Sequence, residues 1–212
     1  MLTRSCQQNP RGPTNSYNAI AHIDQQRQIV PSSILHSLAE VFVRHSVHHE
    51  FGAFLLHRHR ALASTAIMVH KHSDLNTDIC IMEELGRYQV NPCMFFSQAP
   101  DEFLPFEYEM ASKNEVEVLP SKSFLQELGK FLWDRGLEKT FGICRVSPDA
   151  DPWIERLLND DGDTVATRVH RTIGSSDGTI TQWAFIREAY GEIRIKAFRA
   201  CKETESGGHV RT

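Results

Sequence analysis

The sequence predicts an α+β fold, in which a curved antiparallel sheet or partial β-barrel carries two to three packed helices. Short apolar segments with the alternation of strands follow one another through most of the chain. Segments with helical periodicity interrupt them, without the regular strand–helix alternation of a parallel sheet. A chain of 212 residues, 41% of them hydrophobic, is long enough for one domain with a substantial core. No internal repeat with a period of roughly 20–50 residues is visible, which excludes solenoids and propellers.

The chain divides into one body and two polar ends. Residues 1–28 are rich in Gln, Asn, Arg and Pro and have no periodicity, so we expect an arm that is disordered or draped over the body. Residues 29–201 are expected to form a single α+β domain. Residues 202–212 are expected to form a polar tail.

The first helix is predicted to open at "PSS", residues 31–33, because proline and serine favour a helix start. At about 100° per residue, the apolar residues that follow form a stripe centred on Leu38. The same count places His45 and His49 in the middle of this stripe. We therefore expect the helix to carry imidazole groups into the interior or to the mouth of a cavity.

Two further helices are predicted later in the chain. "SKSFLQELGKFLWDRGL" is amphipathic, with Ser121 or Ser123 as its N-cap and an end near Gly136. "DPWIERLLND" predicts a short helix with Asp151 as the cap and Pro152 at the first position.

The remaining apolar segments predict strands. The predicted strands are "FGAFLLHRH", "ALASTAIMV", "TDICIM", "PCMFF", "TFGICRV", "GDTVATRVH", "TITQWAFIRE" and "EIRIKAFRAC". In the first of them, a period of two places His57 and His59 on the same face. "LPFEYEM" and "NEVEVLP" predict a hairpin that turns at residues 112–114. Its glutamates, including Glu107 and Glu109, alternate with apolar residues and are expected to form a solvated face.

Charge and motifs exclude several classes of partner. A net charge of −4 with scattered basic residues gives no electrostatic footprint for nucleic acid. No signal peptide and no run of about 20 apolar residues is present, so we expect a cytoplasmic protein without a membrane partner. The five cysteines are odd in number and far apart, which indicates reduced thiols. No glycine-rich phosphate loop occurs, and no cofactor is expected.

The candidate catalytic residues are four histidines. They are His45, His49, His57 and His59. Three interpretations are open: structural hydrogen bonding, acid–base or substrate-binding chemistry, and metal binding. We expect no transition metal, because carboxylate or thiolate partners at ligand spacing are not recognisable in the sequence.

One motif carries a resemblance. The pattern H-x-E-F-G-x-x-L-L-H-R-H at residues 48–59, with W-x-F at 183–185 and C-x5-G-G-H at 201–209, resembles small uncharacterised proteins of filamentous fungi. The resemblance covers a minor part of the chain in separated pieces. It implies a role near fungal specialised metabolism and assigns no catalytic residue.

These observations lead to one expected function and two alternatives. The expected function is an isomerase or cyclase of specialised metabolism, in which histidine acid–base chemistry acts without a cofactor on a small hydrophobic molecule. The first alternative is a non-catalytic module that binds a small ligand or another protein. The second is a metal-dependent enzyme that uses the histidines. The sequence does not indicate an oligomeric state.

Overall fold

A closed barrel of ten strands dominates the computed structural model, which describes residues 12–23, 30–74, 76–111, 117–159 and 162–202. The strands are β1 (Phe51–Leu55), β2 (Ala66–Asp74), β3 (Thr77–Glu84), β4 (Val90–Ala99), β5 (Glu102–Met110), β6 (Phe141–Arg145), β7 (Trp153–Leu157), β8 (Thr164–Arg168), β9 (Thr179–Arg187) and β10 (Ile193–Cys201). The α-helices in the described ranges are α1 (Gly12–Asn18), α2 (Ser32–Arg44) and α3 (Lys122–Asp134). The predicted α+β class is confirmed, and the sheet closes completely where a curved sheet or partial barrel was expected.

Around the barrel the strands follow the order β1-β6-β4-β5-β2-β3-β8-β7-β10-β9, and β9 returns to β1. Neighbouring strands are antiparallel except for two pairs, β2 with β5 and β7 with β10. Closure leaves every strand with a partner on both sides, so the sheet has no free edge.

The second half of the chain repeats the first. Helices α2 and α3 both have 13 residues and start 90 positions apart, at 32 and 122. Strands β1 and β6 both have five residues and start at 51 and 141, again 90 apart. Exchanging β1–β5 with β6–β10 reproduces the cyclic strand order in reverse. The barrel therefore has an approximate two-fold symmetry. The corresponding offset of 90 residues along the chain is longer than a repeat of roughly 20–50 residues.

Helices α2 and α3 pack on the outside of the barrel. Their apolar faces, which include Leu38 and Phe124, form one cluster with strand residues such as Phe51 and Ile143. This confirms the predicted stripe of the first helix and the predicted start of the second, where the Ser121 hydroxyl accepts a hydrogen bond from the backbone of Phe124. Within the described ranges, no helix combines the length and the hydropathy that crossing a membrane requires.

Helix α1 closes one end of the barrel. Tyr17 is buried in the same apolar cluster as residues of the barrel interior. The Thr14 hydroxyl donates to the carbonyl of Ala66 at 2.7 Å, and the Asn18 amide donates to the carbonyl of Leu62 at 2.9 Å. Residues 12–23 are thus packed against the barrel, where composition left both a disordered and a draped arm open. Residues 1–11, 24–28 and 203–212 lie outside the described residues.

Two predicted elements differ in kind from the structure, and the strand predicted for residues 51–59 ends at Leu55. The segment predicted as a third helix is strand β7, because Trp153 and Ile154 pair with β8 on one side and β10 on the other. The predicted hairpin does not form as expected: β5 pairs with β4 and β2, and residues 117–121 are not in a strand. The turn proposed at residues 112–114 lies outside the described residues.

Candidate functional site

A network of buried charges occupies the barrel interior. His70 donates from Nδ1 to Asp78 at 2.9 Å and from Nε2 to Glu107 at 2.8 Å. Arg199 donates to the same Asp78 oxygen at 2.9 Å. Because both nitrogens of His70 face carboxylates, both must carry protons, and the ring is an imidazolium.

The ionisation of this network follows from its contacts. Burial works against charge on His70, but the Coulombic interactions with Cys80, Asp78 and Cys93 and the hydrogen bond to Asp78 outweigh it and raise the pKa of the imidazole well above its usual value. Burial likewise opposes ionisation of Asp78, yet His70 and Arg199 hold the pKa of its carboxyl far below the ordinary range. The three groups therefore stay charged together at neutral pH.

Glu155 extends the network on the other side of Arg199. Its Oε1 accepts a hydrogen bond from the Thr164 hydroxyl at 2.7 Å and lies 3.6 Å from Nη1 of Arg199. Burial opposes its ionisation, but the guanidinium of Arg199 lowers the pKa of Glu155 to about 2. Glu155 is therefore an anion.

The two-fold symmetry relates these residues with reversed charge. Glu107 of β5 and Arg199 of β10 hold the same register position against β2 and β7. His70 and Glu155 also occupy equivalent positions, two residues further along β2 and β7. The first half thus places the cation His70 on β2 and the anion Glu107 on β5. At the equivalent positions, the second half places the anion Glu155 on β7 and the cation Arg199 on β10.

A cavity of about 220 Å³, which we call the open cavity, lies beside this network. Its polar wall includes His70, His72 and Asp78, and its apolar wall includes Met94, Trp153 and Phe198. His72 lies at the rim: its side chain is 59% exposed, and its Nδ1 is 3.5 Å from Oδ1 of Asp78. The open cavity therefore communicates with solvent at the end of β2, away from α1.

Three arginines line the open cavity, and two of them are neutralised. Arg145 forms an ion pair with Glu109, and Arg199 lies between two carboxylates. The guanidinium of Arg168 instead lies 4.6 Å over the ring of Trp153. Among the side chains that the structure describes, which do not include that of Asp74, no carboxylate pairs with Arg168, and its Nε is buried without a hydrogen-bond partner. Of the three arginines, Arg168 is therefore the one that no described side chain in the cavity wall neutralises.

His57 and His59 lie at the opposite end of the interior, next to α1. Their rings are 5.0 Å apart and perpendicular, so the two side chains are neighbours, although both residues lie beyond the end of β1. His57 donates from Nδ1 to the carbonyl of Leu55 at 2.7 Å, and burial lowers the pKa of its imidazole, so the ring is neutral. Nε2 of His59 lies 4.0 Å from Glu155 and 3.8 Å from Sγ of Cys201.

His45 and His49 do not join the other two candidate histidines. Helix α2 ends at Arg44, and Ser46 has a φ of 58°, so the helical count does not extend to these positions. His45 forms a hydrogen bond of 2.7 Å with Glu127 of α3, and His49 is exposed. Both lie on the outer side of the barrel, so the four histidines are not one site.

Sequence reasoning missed most of the interior network. His70 and His72 show the same H-x-H spacing as His57 and His59, and that signal could have found them. Glu107 was predicted on a solvated face, which is wrong: the side chain is buried. A register shift in the pairing of β4 with β5 lets Phe106 and Glu107 both contact the interior, so simple alternation fails there.

The fold brings a carboxylate and a thiol from distant parts of the sequence next to one of the candidate histidines. The expectation of no metal depended on missing carboxylate or thiolate partners, and Glu155 and Cys201 now lie beside His59. Four cysteines lie in the described ranges, and all four are buried.

Comparison with models of protein families, with curated proteins and with solved structures found no match for this chain. Its function must therefore be argued from the geometry of the barrel interior.

Proposed function

We propose that the protein binds a small molecule with an acidic group and an apolar body in the open cavity, and that it moves a proton on this molecule. The proposal depends on two features that line the same cavity. One is the cation Arg168, which no described carboxylate neutralises, and the other is the imidazole–carboxylate pair of His72 and Asp78. Proton transfer of this kind is the chemical core of an isomerisation or cyclisation. On the fungal resemblance alone, we propose specialised metabolism as its setting.

Binding is assigned to the arginine and the apolar wall. A guanidinium held over an aromatic face is well placed to take a carboxylate while the apolar body stacks beside it. Trp153 and Phe198 supply that apolar surface. The cavity volume of about 220 Å³ is small for a ligand pocket, so the ligand has one or two rings.

Proton transfer is assigned to His72. Unlike His70, whose two nitrogens are both engaged by carboxylates, His72 reaches solvent and the cavity. Asp78 stabilises the imidazolium that His72 becomes when it accepts a proton. His70 and Arg199 hold Asp78 in place and are positioning residues.

The experiment uses phenylpyruvate, which joins an aromatic ring, a carboxylate and an enolisable carbonyl. Exchange of its benzylic protons for deuterium is followed by NMR in D2O. We expect the protein to accelerate exchange and His72→Gln to reduce the rate by ~10²–10⁴ without lowering the melting temperature. His49→Gln, an exposed histidine outside the barrel, is the matched control. A His72→Gln variant as fast as the parent, or a parent no faster than buffer, would contradict the catalytic proposal.

Binding is tested separately with 2-naphthoate and its neutral amide, followed by tryptophan fluorescence. Arg168→Gln should weaken naphthoate binding about tenfold or more, because a charge-assisted hydrogen bond is lost. Arg135→Gln, an arginine that lies over Phe131 outside the cavity, should bind like the parent. Binding of naphthoate without any exchange on phenylpyruvate would favour the second candidate, a non-catalytic ligand-binding module. The complete pairing of His70 with two carboxylates supports that candidate, since it makes the interior rigid.

A further inference from the structure

Four side chains of metal-ligand type converge at the end of the interior that α1 closes. This closed-end cluster consists of His57, His59, Glu155 and Cys201. One ligand atom from each residue lies within 4.8 Å of all the others. A tetrahedral zinc site with bonds of 2.0–2.3 Å has ligand atoms about 3.3–3.8 Å apart. The distances of 3.8 and 4.0 Å from His59 to Cys201 and Glu155 are within a few tenths of an ångström of that geometry.

We infer that the closed-end cluster is a binding site for one divalent transition metal ion, and that Zn²⁺ is the ion it fits best. Two imidazoles, a thiolate and a carboxylate form a mixed set of the kind that zinc accepts in tetrahedral coordination. All four ligands come from the chain, which is the pattern of a structural site with no position left for substrate.

The surroundings orient two of the ligands. His57 donates from Nδ1 to the carbonyl of Leu55, so Nε2 carries the lone pair that a metal needs. Thr164 holds Oε1 of Glu155 at 2.7 Å, while Oε2 is the oxygen nearer to His59. Such outer contacts fix the tautomer of a ligating histidine and the direction of a ligating carboxylate.

The fold holds two ligands of the closed-end cluster on strands and the other two on a segment anchored by one bridge. Glu155 and Cys201 are register partners on the parallel strands β7 and β10. His57 and His59 follow β1, and the bridge between His22 and Arg58 ties this segment to residues near α1. Ligands on strands are held more accurately than ligands on loops, so Glu155 and Cys201 form the preformed part of the site.

Charge balance also favours a cation here. The interior network contains three carboxylates, on Asp78, Glu107 and Glu155, and two cations, on His70 and Arg199. A divalent ion that binds with the thiolate of Cys201 adds one net positive charge. The network then becomes neutral, which lowers the cost of keeping it away from water.

Two competing interpretations fit the geometry less well. A second group of ligand type, His70, Cys80 and Glu107, is unsuited to metal, because His70 already donates from both nitrogens and burial raises the pKa of the Cys80 thiol to about 12. The closed-end cluster could also be parts of a cysteine–histidine–carboxylate triad. The cavity beside it, however, has only about 10 Å³, which suits one ion or water and no substrate.

The test is elemental analysis of protein produced without a histidine tag, followed by chelation and titration with Co²⁺. We expect about one Zn²⁺ per chain, and a thiolate-to-cobalt charge-transfer band that reaches its limit at one equivalent. Cys201→Ser should abolish the band, and Cys144→Ser, which changes another buried cysteine, should retain it. Thr164→Val should weaken zinc binding about 10–100-fold by freeing Glu155.

The titration of the parent protein keeps the inference testable even if Cys201→Ser fails to fold. A parent that neither contains Zn²⁺ nor binds one equivalent of Co²⁺ with the thiolate band would overturn the site. Unchanged cobalt spectra in Cys201→Ser would do the same. Neither result depends on exchange of phenylpyruvate, so the metal site and the proposed catalysis fail independently.

Discussion

At His70, one imidazole is shared by two carboxylates, and this determines how it contributes to stability as the pH changes. Its pKa in the folded chain is raised well above the value of about 6.5 in an unfolded chain. Its contribution is therefore complete below about pH 6.5 and is lost as the pH rises through the folded pKa. The pKa of Asp78 is lowered, so its contribution is complete above about pH 4 and is lost at lower pH.

His70→Gln should therefore destabilise the fold most at mildly acidic pH. We expect a loss of about 3–5 kcal/mol in the free energy of unfolding near pH 6, because two buried carboxylates lose their partner. The difference from the parent should shrink by up to about 1.4 kcal/mol per pH unit above pH 6.5. Urea unfolding at a series of pH values measures it.

The control for this experiment is His170→Gln, which removes an exposed imidazole paired with Asp151. This variant should stay close to the parent throughout. A difference between His70→Gln and the parent that is constant from pH 6 to pH 9 would show that His70 is not charged in the fold.

At the scale of elements, α1 acts as a plug for the barrel. Tyr17 is 1% exposed, and its ring centre lies 6.4 Å from that of Phe106. Burial and the nearby charge of Glu107 raise the pKa of its hydroxyl, so the side chain remains neutral within the interior. The helix has only seven residues and cannot be stable by itself, so the packing of Tyr17 holds it in place.

Tyr17→Ala should cost about 3–5 kcal/mol of the free energy of unfolding, the usual loss for a buried aromatic side chain. Asn15→Ala, at an exposed position of the same helix, should cost far less. Denaturant unfolding of both variants checks this. Equal stability of the two variants would mean that α1 does not close the barrel.

The elements that could be predicted are those whose pattern is local. Helix α3 has its own amphipathic period and its own cap at Ser121, so the sequence predicted both its start and its face. Strand β7 has five residues, too few to distinguish a strand from a helix, and its identity depends on pairing with β8 and β10. Pairing between distant strands is not visible in one sequence.

In the candidate site, too, the features with a local sequence pattern could be predicted, and those that depend on distant strands could not. The spacing of His57 and His59 predicted neighbouring side chains, and their rings are 5.0 Å apart, although the predicted strand ends before them. Their neighbours Glu155 and Cys201 arrive from strands about 100 and 140 residues later, which no local pattern indicates. His45 was misplaced because the helical count was continued past the end of α2.

At the scale of the whole molecule, the two halves are interleaved. Strand β1 lies between β9 and β6, which both belong to the second half. Strand β6 lies between β1 and β4, which both belong to the first half. The first strand of each half therefore pairs only with strands of the other half, so neither half forms a complete sheet alone.

Fragments separated between β5 and α3, at residue 114, should therefore depend on each other. We expect residues 1–114 and 115–212 to be unfolded alone, because each would expose unpaired strands and half a core. Mixing them should restore a cooperative thermal transition, followed by circular dichroism. A cooperative transition in either isolated fragment would show that the halves are independent domains.

The reversed charges on the two sides of the symmetry axis require two halves that differ in sequence. A homodimer of the first half would place a second Glu107 where Arg199 now stands, since the two positions are equivalent. Asp78, which now bonds Arg199 at 2.9 Å, would then face another carboxylate in a buried setting. Two halves within one chain avoid this repulsion, because the two equivalent positions can carry different residues. Covalent duplication thus allows one barrel to have chemically different ends, which an assembly of identical subunits cannot provide.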